Sequence, residues 1–273
     1  VHPILFKLGP IELHSYGALL ALSFFLGILL ASRRAPARGV SPDFIVDVSF
    51  AIVLASVVGA RLLYVLFHRG EMGGLLDVVA VWKGGMTMYG GVLAAMAVAW
   101  WVARRKGVAF LNLADIMAPS LALGLMVTRV GCFLNGCCYG KPTDSFLGVT
   151  FPFQNVVGSS FGSPLHPTQL YSSLSGLVVL LLLLWIDRRP RPQGQLFGLY
   201  LVLAGAGRFL VDLFRFYEAN AYVLGALTLS QVISFGLLVV GVLLLLRTRH
   251  AAPVAAPVAE TATPTKIAEH SLS

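Results

Sequence analysis

Seven stretches of about twenty mainly apolar residues recur along this chain, near residues 14–33, 44–67, 85–103, 113–135, 167–186, 196–215 and 227–246. A hydrocarbon core of about 30 Å takes about 20 residues of helix to cross, and lipid offers the backbone no hydrogen-bond partner. Stretches of this length are therefore expected to be membrane-spanning helices. Composition agrees: 57 % of the 273 residues are apolar and only 12 % are charged, about half the charge of an ordinary soluble domain. The expected fold class is all-α, a polytopic membrane protein with about seven transmembrane helices. Residues 1–247 read as one integral-membrane domain. Residues 248–273 alternate Ala, Pro, Thr and Val with few bulky side chains and read as a disordered tail. The first apolar stretch is expected to stay as a helix and not be cleaved, because no basic segment precedes it and RRAPAR follows it directly.

The basic residues suggest an orientation. Of the twenty Lys and Arg, twelve fall in the connections after the first, third and fifth stretches and in the C-terminal tail. Five lie on the other side: Lys7, Arg69, Lys83, Lys141 and Arg215. The positive-inside rule then predicts the N-terminus outside and the C-terminus in the cytoplasm. Basic loops of this kind sit against anionic headgroups, so the +8 net charge needs no nucleic acid as partner. No internal repeat is evident, and nothing in the chain supports an inverted-repeat transporter.

The remaining three cations, Arg61, Arg129 and Arg208, fall inside the apolar stretches. An arginine near mid-membrane costs at least about 2.5–3.5 kcal/mol, so it normally faces a bundle interior or wet cavity and marks a functional path. Asp115 precedes Arg129 by fourteen residues, about 21 Å along a regular helix. Arg129 must therefore find its anion on another helix or on a ligand, and a guanidinium fork suits phosphate. Arg208 and Asp212 are spaced i, i+4 and read either as an ion pair or as site residues. Arg61, near the end of its stretch, reads either as snorkelling toward phosphates or as a headgroup contact.

Other polar residues gather near the predicted outer face. HSYG at 14–17 supplies Tyr16, an interfacial anchor, and His14, which can accept a proton near neutral pH. Tyr89 stands between paired glycines in WKGGMTMYGG, a pattern of close helix packing or re-entrant backbone. Asn135 and Tyr139 crowd the mouth beyond Arg129, His166 opens a helix just ahead of Pro167, and the segment 136–166 is long enough to cap a cavity. Cys132, Cys137 and Cys138 follow a C-x4-C-C spacing that matches neither a zinc-site C-x2-C pair nor an even disulfide framework. No metal is expected, and the cysteines read as small packing residues or reactive thiols beside an arginine.

Taken in order, HSYG, GARLLYVLF, VWKGGMTMYGG, the 115–129 segment with RVGCFLNG and YG, HPTQLY and GRFLVDLFR resemble the prolipoprotein diacylglyceryl transferase family over roughly residues 11–247. The resemblance implies an enzyme of the bacterial plasma (inner) membrane that needs no cofactor. It would move the diacylglyceryl group of phosphatidylglycerol onto the lipobox cysteine of a preprolipoprotein signal peptide, releasing glycerol phosphate. By the same resemblance Arg129 contacts the lipid, Arg208 is functionally important, Tyr16, Asn135, Gly140 and His166 complete the lipid and peptide site, and Asp212 is a surviving acidic position. Arg61 and Asp212 are taken as further substrate-binding candidates, and the charge that grows on a departing phosphate makes Arg129 and Arg208 the candidate electrostatic catalysts. The chain departs from the family pattern at three positions. Tyr89 replaces a histidine proposed as catalytic, Cys132 replaces an asparagine, and Cys137 replaces an acidic residue. With that histidine gone, His14, His166 and Asp212 are the candidate bases, and Tyr89 the residue that orients lipid. Two alternatives stand beside this reading: a divergent homologue that binds phospholipid without the chemistry, and a lipid or thiol transferase with a different acceptor.

Overall fold

The computed structural model describes residues 2–8, 11–71, 74–80, 84–151, 162–217, 222–224 and 227–251. The expected disordered tail lies outside them, apart from residues 248–251. Eight helices form the described chain: α1 (Ser15–Arg34), α2 (Pro42–Phe67), α3 (Leu75–Val79), α4 (Met88–Arg105), α5 (Phe110–Asn135), α6 (Thr168–Ile186), α7 (Gln195–Leu213) and α8 (Leu229–Thr248). All except α3 are long, and six of these seven are apolar and long enough to cross a membrane; α4, whose last turn holds Arg104 and Arg105, is the exception. The chain is a multi-pass helical membrane protein. Sequence did not anticipate two small antiparallel hairpins, β1 (Ile4–Leu8) with β2 (Ile11–His14) and β3 (Tyr222–Leu224) with β4 (Leu227–Thr228). The first is tied to α1 through the Ser15 hydroxyl, which donates to the carbonyl of His2 at 2.8 Å.

Local chemistry sets the helix starts. Ser41 accepts from the N–H of Phe44 ahead of α2, with Pro42 in the first turn. Thr228 and Gln231 form a reciprocal capping box on α8. Residues 84–87 stay non-helical, so α4 starts later than the apolar run at 85.

α5 is the central element. In its most apolar window 56 % of residues are buried inside the protein, against 6–33 % in the other five spans. It packs against α1, α6 and α7, while α2 pairs with α4 and α7 with α8. The second glycine pair, Gly90 and Gly91, is explained by the α2–α4 contact: a Cβ at Gly59 would lie 2.5 Å from the carbonyl oxygen of Gly90, so the two backbones touch directly. One core layer joins Ala31, Phe44, Ile45, Val48, Ala103 and Ile116, and a second joins Ala118, Ala122, Leu180, Leu183 and Leu196.

Pro119 lies inside α5 and has no N–H to give the carbonyl of Asp115 one turn back. Arg34 from α1 compensates, since its Nη1 donates to that carbonyl at 3.4 Å and also to the carbonyl of Ile116. Its Nη2 pairs with Asp187. Arg38 bridges Asp115 at 3.0 Å and Asp187 at 2.7 Å, and the Asp115 carboxylate accepts the N–H groups of Gly194 and Phe197 at the start of α7. Asp115 is fully buried and Arg38 is 9 % exposed. The basic connection after α1 was expected to lie on headgroups, yet two of its arginines turn inward to hold α1, α5, α6 and α7 together at one end.

Candidate active site

The opposite end gathers the start of α1, the ends of α5 and α7, and the starts of α6 and α8. α5 terminates in a double closure: Gly136, left-handed at φ 72, donates its N–H to the carbonyl of Phe133, and Cys137 N–H reaches back to the carbonyl of Cys132, both at 3.1 Å. This Schellman arrangement folds the residue after the glycine over the one five positions earlier. Cys137 therefore lands on Cys132. Cys138, also left-handed at φ 65, brings in the third thiol, and all three sulfurs lie within 4.8 Å of one another. Hydrogen bonds from Cys132 and then Cys137, aided by the Arg215 and Arg129 charges, hold the Cys138 thiol below its ordinary range despite burial.

The turn after α5 is fastened on its far side. Thr168 Oγ1 donates to the carbonyl of Cys138 at 2.9 Å and Gln169 Nε2 to that of Cys137 at 2.7 Å. Gly140 donates its N–H to the carbonyl of His166 at 2.8 Å. A Cβ at Gly140 would fall 2.5 Å from the carbonyl oxygen of Phe214 and 2.7 Å from His166, so only glycine lets the turn close against α6 and α7. His166 stacks edge-on against Phe214, and its Nδ1 lies 3.1 Å from the Tyr171 hydroxyl.

Arg129 and Arg208 flank this turn. The structure places them six and five residues before the ends of α5 and α7, about 9 and 7.5 Å below the same face, because both helices stop where the turn and Phe214 begin. Arg129 makes no hydrogen bond or ion pair among the described residues, and its charge is felt by Tyr16, Cys138 and Arg208. Arg208 is partly compensated: its Nη2 is 3.0 Å from the Asp212 carboxylate and also donates to Tyr217 and Ser230. Its Nη1 is buried with no hydrogen-bond partner among the described residues. Asp212, 3 % exposed, accepts the Tyr217 hydroxyl at 2.8 Å. Burial keeps the Tyr217 phenol above its ordinary value, so it stays a neutral donor.

The structure thus brings Tyr16, Arg129, Asn135, Gly140, His166, Arg208 and Asp212 to one end, with Asn135 hydrogen-bonded to the Cys137 thiol. Three others, at the same end by the run of α1, α2 and α4, make no side-chain hydrogen bond to these residues among those described. Arg61 is 6 % exposed and does not snorkel: it donates to the carbonyls of Asp77, Val78, Gly84 and Gly85, which leaves little of its fork for a headgroup. Tyr89 stands in the first turn of α4, 43 % exposed, with no hydrogen bond among the described residues. His14 is exposed at the end of β2, its Nδ1 3.2 Å from the carbonyl of Glu12. Sequence reasoning missed Tyr217 and Ser230, which orient Arg208 from beyond α7 and from α8. Their only signal is that a cation and a carboxylate near a helix end need polar company.

Fold and site together define a multi-pass helical membrane protein with two arginines near one end, set among polar side chains from five helices. Residues 3–247 match the family described as prolipoprotein diacylglyceryl transferase, and the chain belongs to that family. It is 36 % identical to the phosphatidylglycerol–prolipoprotein diacylglyceryl transferase of Geobacter sulfurreducens over 247 residues, covering 88 % of this chain and 93 % of that protein. The same-named protein of Photobacterium profundum is 36 % identical over 261 residues, 93 % and 95 % of the two chains. That of Vibrio atlanticus is 35 % identical over 253 residues, 90 % of each.

Proposed function

We propose that this protein transfers the diacylglyceryl group of phosphatidylglycerol to the lipobox cysteine of a preprolipoprotein, at the outer face of the bacterial inner membrane. The observation that carries the reading is Arg129, a cation inside a membrane-spanning helix with no anion among the described residues. A phosphodiester headgroup supplies that anion, and the guanidinium fork fits it. Arg208, with Nη1 unpartnered among the described residues, offers a second donor nearby.

In the transfer the acceptor sulfur, as thiolate, attacks the glyceryl carbon that carries the phosphate. The C–S bond forms, the C–O bond breaks, and its electron pair leaves on glycerol phosphate. Charge grows on the departing phosphate, and guanidinium groups fixed in a poorly screened site stabilise it without reorganising. Asp212 and Tyr217 hold the Arg208 fork in place. His166, whose carbonyl receives the Gly140 N–H and whose ring packs on Phe214 after the end of α7, is a candidate base.

The test is complementation of a strain depleted of its own transferase, scored by thioether-lipidated prolipoprotein. Wild-type protein is expected to restore it, and Arg129→Ala to lower transfer by about 10²–10³-fold. Folded, expressed wild-type protein that binds phosphatidylglycerol but yields no thioether would move the assignment to a lipid-binding homologue.

A further inference from the structure

The transfer needs a thiolate, yet the histidine that the family pattern would place at position 89 is a tyrosine, and no base is seen touching Arg129. Beside Arg129 lie three thiols that the mechanism leaves unused. We propose that Cys132, Cys137 and Cys138 form a three-thiolate site for a zinc-class cation, whose open fourth position takes the sulfur of the acceptor cysteine. The second half of this inference rests on the transferase reading above; the metal site itself does not.

The geometry meets the requirements of such a centre. Thiolates bind zinc at about 2.3 Å, which puts two sulfurs on one tetrahedral ion roughly 3.8 Å apart. The three sulfurs already lie within 4.8 Å of one another, so closure needs side-chain shifts of about 1 Å or less. The C-x4-C-C spacing argued against zinc only because linear zinc motifs assume other turns. Here the Schellman closure of α5 supplies the approach of Cys137 to Cys132, and the left-handed backbone at Cys138, uncommon for a side chain with a Cβ, supplies the third. Thr168 and Gln169 fix the carbonyls of Cys138 and Cys137 from the other side, and Asn135 hydrogen-bonds the Cys137 sulfur, the kind of outer support that orients metal ligands. All three cysteines are free.

Thiolate donors select zinc or cuprous ions over harder metals, and zinc brings no redox change. Three protein ligands leave zinc one position, the arrangement of catalytic rather than structural sites. Three thiolates exceed the two charges of the ion by one negative charge, and Arg129 and Arg215 both act on Cys138 from nearby. When the acceptor S–H binds, its proton passes to water and the sulfur remains as a metal-bound thiolate. Its lone pair then forms the C–S bond as the C–O bond breaks to glycerol phosphate. The neutral thioether is a poor ligand, and the product leaves the ion.

The experiment uses full-length, reduced protein in detergent. Titration with Zn²⁺ against a chromophoric chelator should give one ion per chain, and Co²⁺ should give a near-ultraviolet thiolate charge-transfer band. Cys132→Ser, Cys137→Ser and Cys138→Ser should each weaken binding at least tenfold, and the triple variant should abolish it. Helical circular dichroism and retained phosphatidylglycerol binding report folding. Should the variants not fold, stripping and restoring zinc on the wild-type protein gives the same comparison. A lipobox peptide carrying cysteine, but not its serine counterpart, should shift the visible cobalt bands. Absence of stoichiometric metal, or equal binding by the folded triple serine variant, overturns the site. Cobalt binding with no response to the cysteine peptide overturns the acceptor role. A zinc-loaded protein that yields no thioether with its natural substrates counts instead against the transferase reading.

Discussion

The residues that matter most here are defined by what they lack. Among the described residues Arg129 has no anion and one nitrogen of Arg208 is buried without an acceptor, whereas Arg61, more deeply buried, donates to four backbone carbonyls. Sequence placed all three in the membrane but could not tell them apart, because the partners of Arg61 are main-chain atoms, which carry no residue-type signal. Tyr89 shows the reverse. Its family position suggested catalysis, but its hydroxyl has no hydrogen bond among the described residues and its side chain is exposed. Tyr89→Phe is expected to keep transfer activity within about twofold of wild type, the range of a surface substitution. Radiolabelled-lipid transfer assays measure it, and a hundredfold loss would return Tyr89 to the catalytic group. The cysteines were legible as a cluster and illegible as a geometry: their approach depends on how a helix ends, and a spacing rule does not contain that.

At the scale of elements, α5 ties the two ends of the molecule. One end carries Arg129, Cys132 and Asn135, and the other carries Asp115, which receives Arg38 and the first N–H groups of α7. Removing one partner of a buried, hydrogen-bonded charge pair typically costs about 3–5 kcal/mol. Asp115→Ala should therefore lower the thermal unfolding midpoint in detergent by well over what Asp43→Ala, in the first turn of α2, produces. Equal midpoints would mean that the network is dispensable. Apolar run length made the seven long helices legible with ends correct to within a few residues. The two hairpins and the α1–α5–α6–α7 network were not, because short strands carry little periodicity and ion pairs between distant segments leave no local pattern.

For the whole molecule, the ends differ in chemistry. One gathers Arg33, Arg34, Arg38, Arg104, Arg105, Lys106, Arg188, Arg189, Arg191, Arg247 and Arg249 at helix ends and connections; the other holds the site arginines with fewer basic residues, among them Lys7, Arg61, Arg69, Lys141 and Arg215. On the positive-inside rule we propose that the site end faces outward, where a translocated acceptor would meet it. Reporter fusions test this: alkaline phosphatase joined after residue 147 should be active, and joined after residue 106 or 189 should be silent, with the reverse pattern inverting the proposed topology. Pro119 and Arg34 carry a last consequence. The helix that bears Arg129 cannot complete its own ladder, and a neighbour completes it by lending a side chain. Losing Arg34 alone leaves a bare carbonyl, whereas losing Pro119 restores its N–H partner, so across related chains arginine should be lost only where proline is lost, and α1 should fold onto α5 before α5 is at rest in the bilayer.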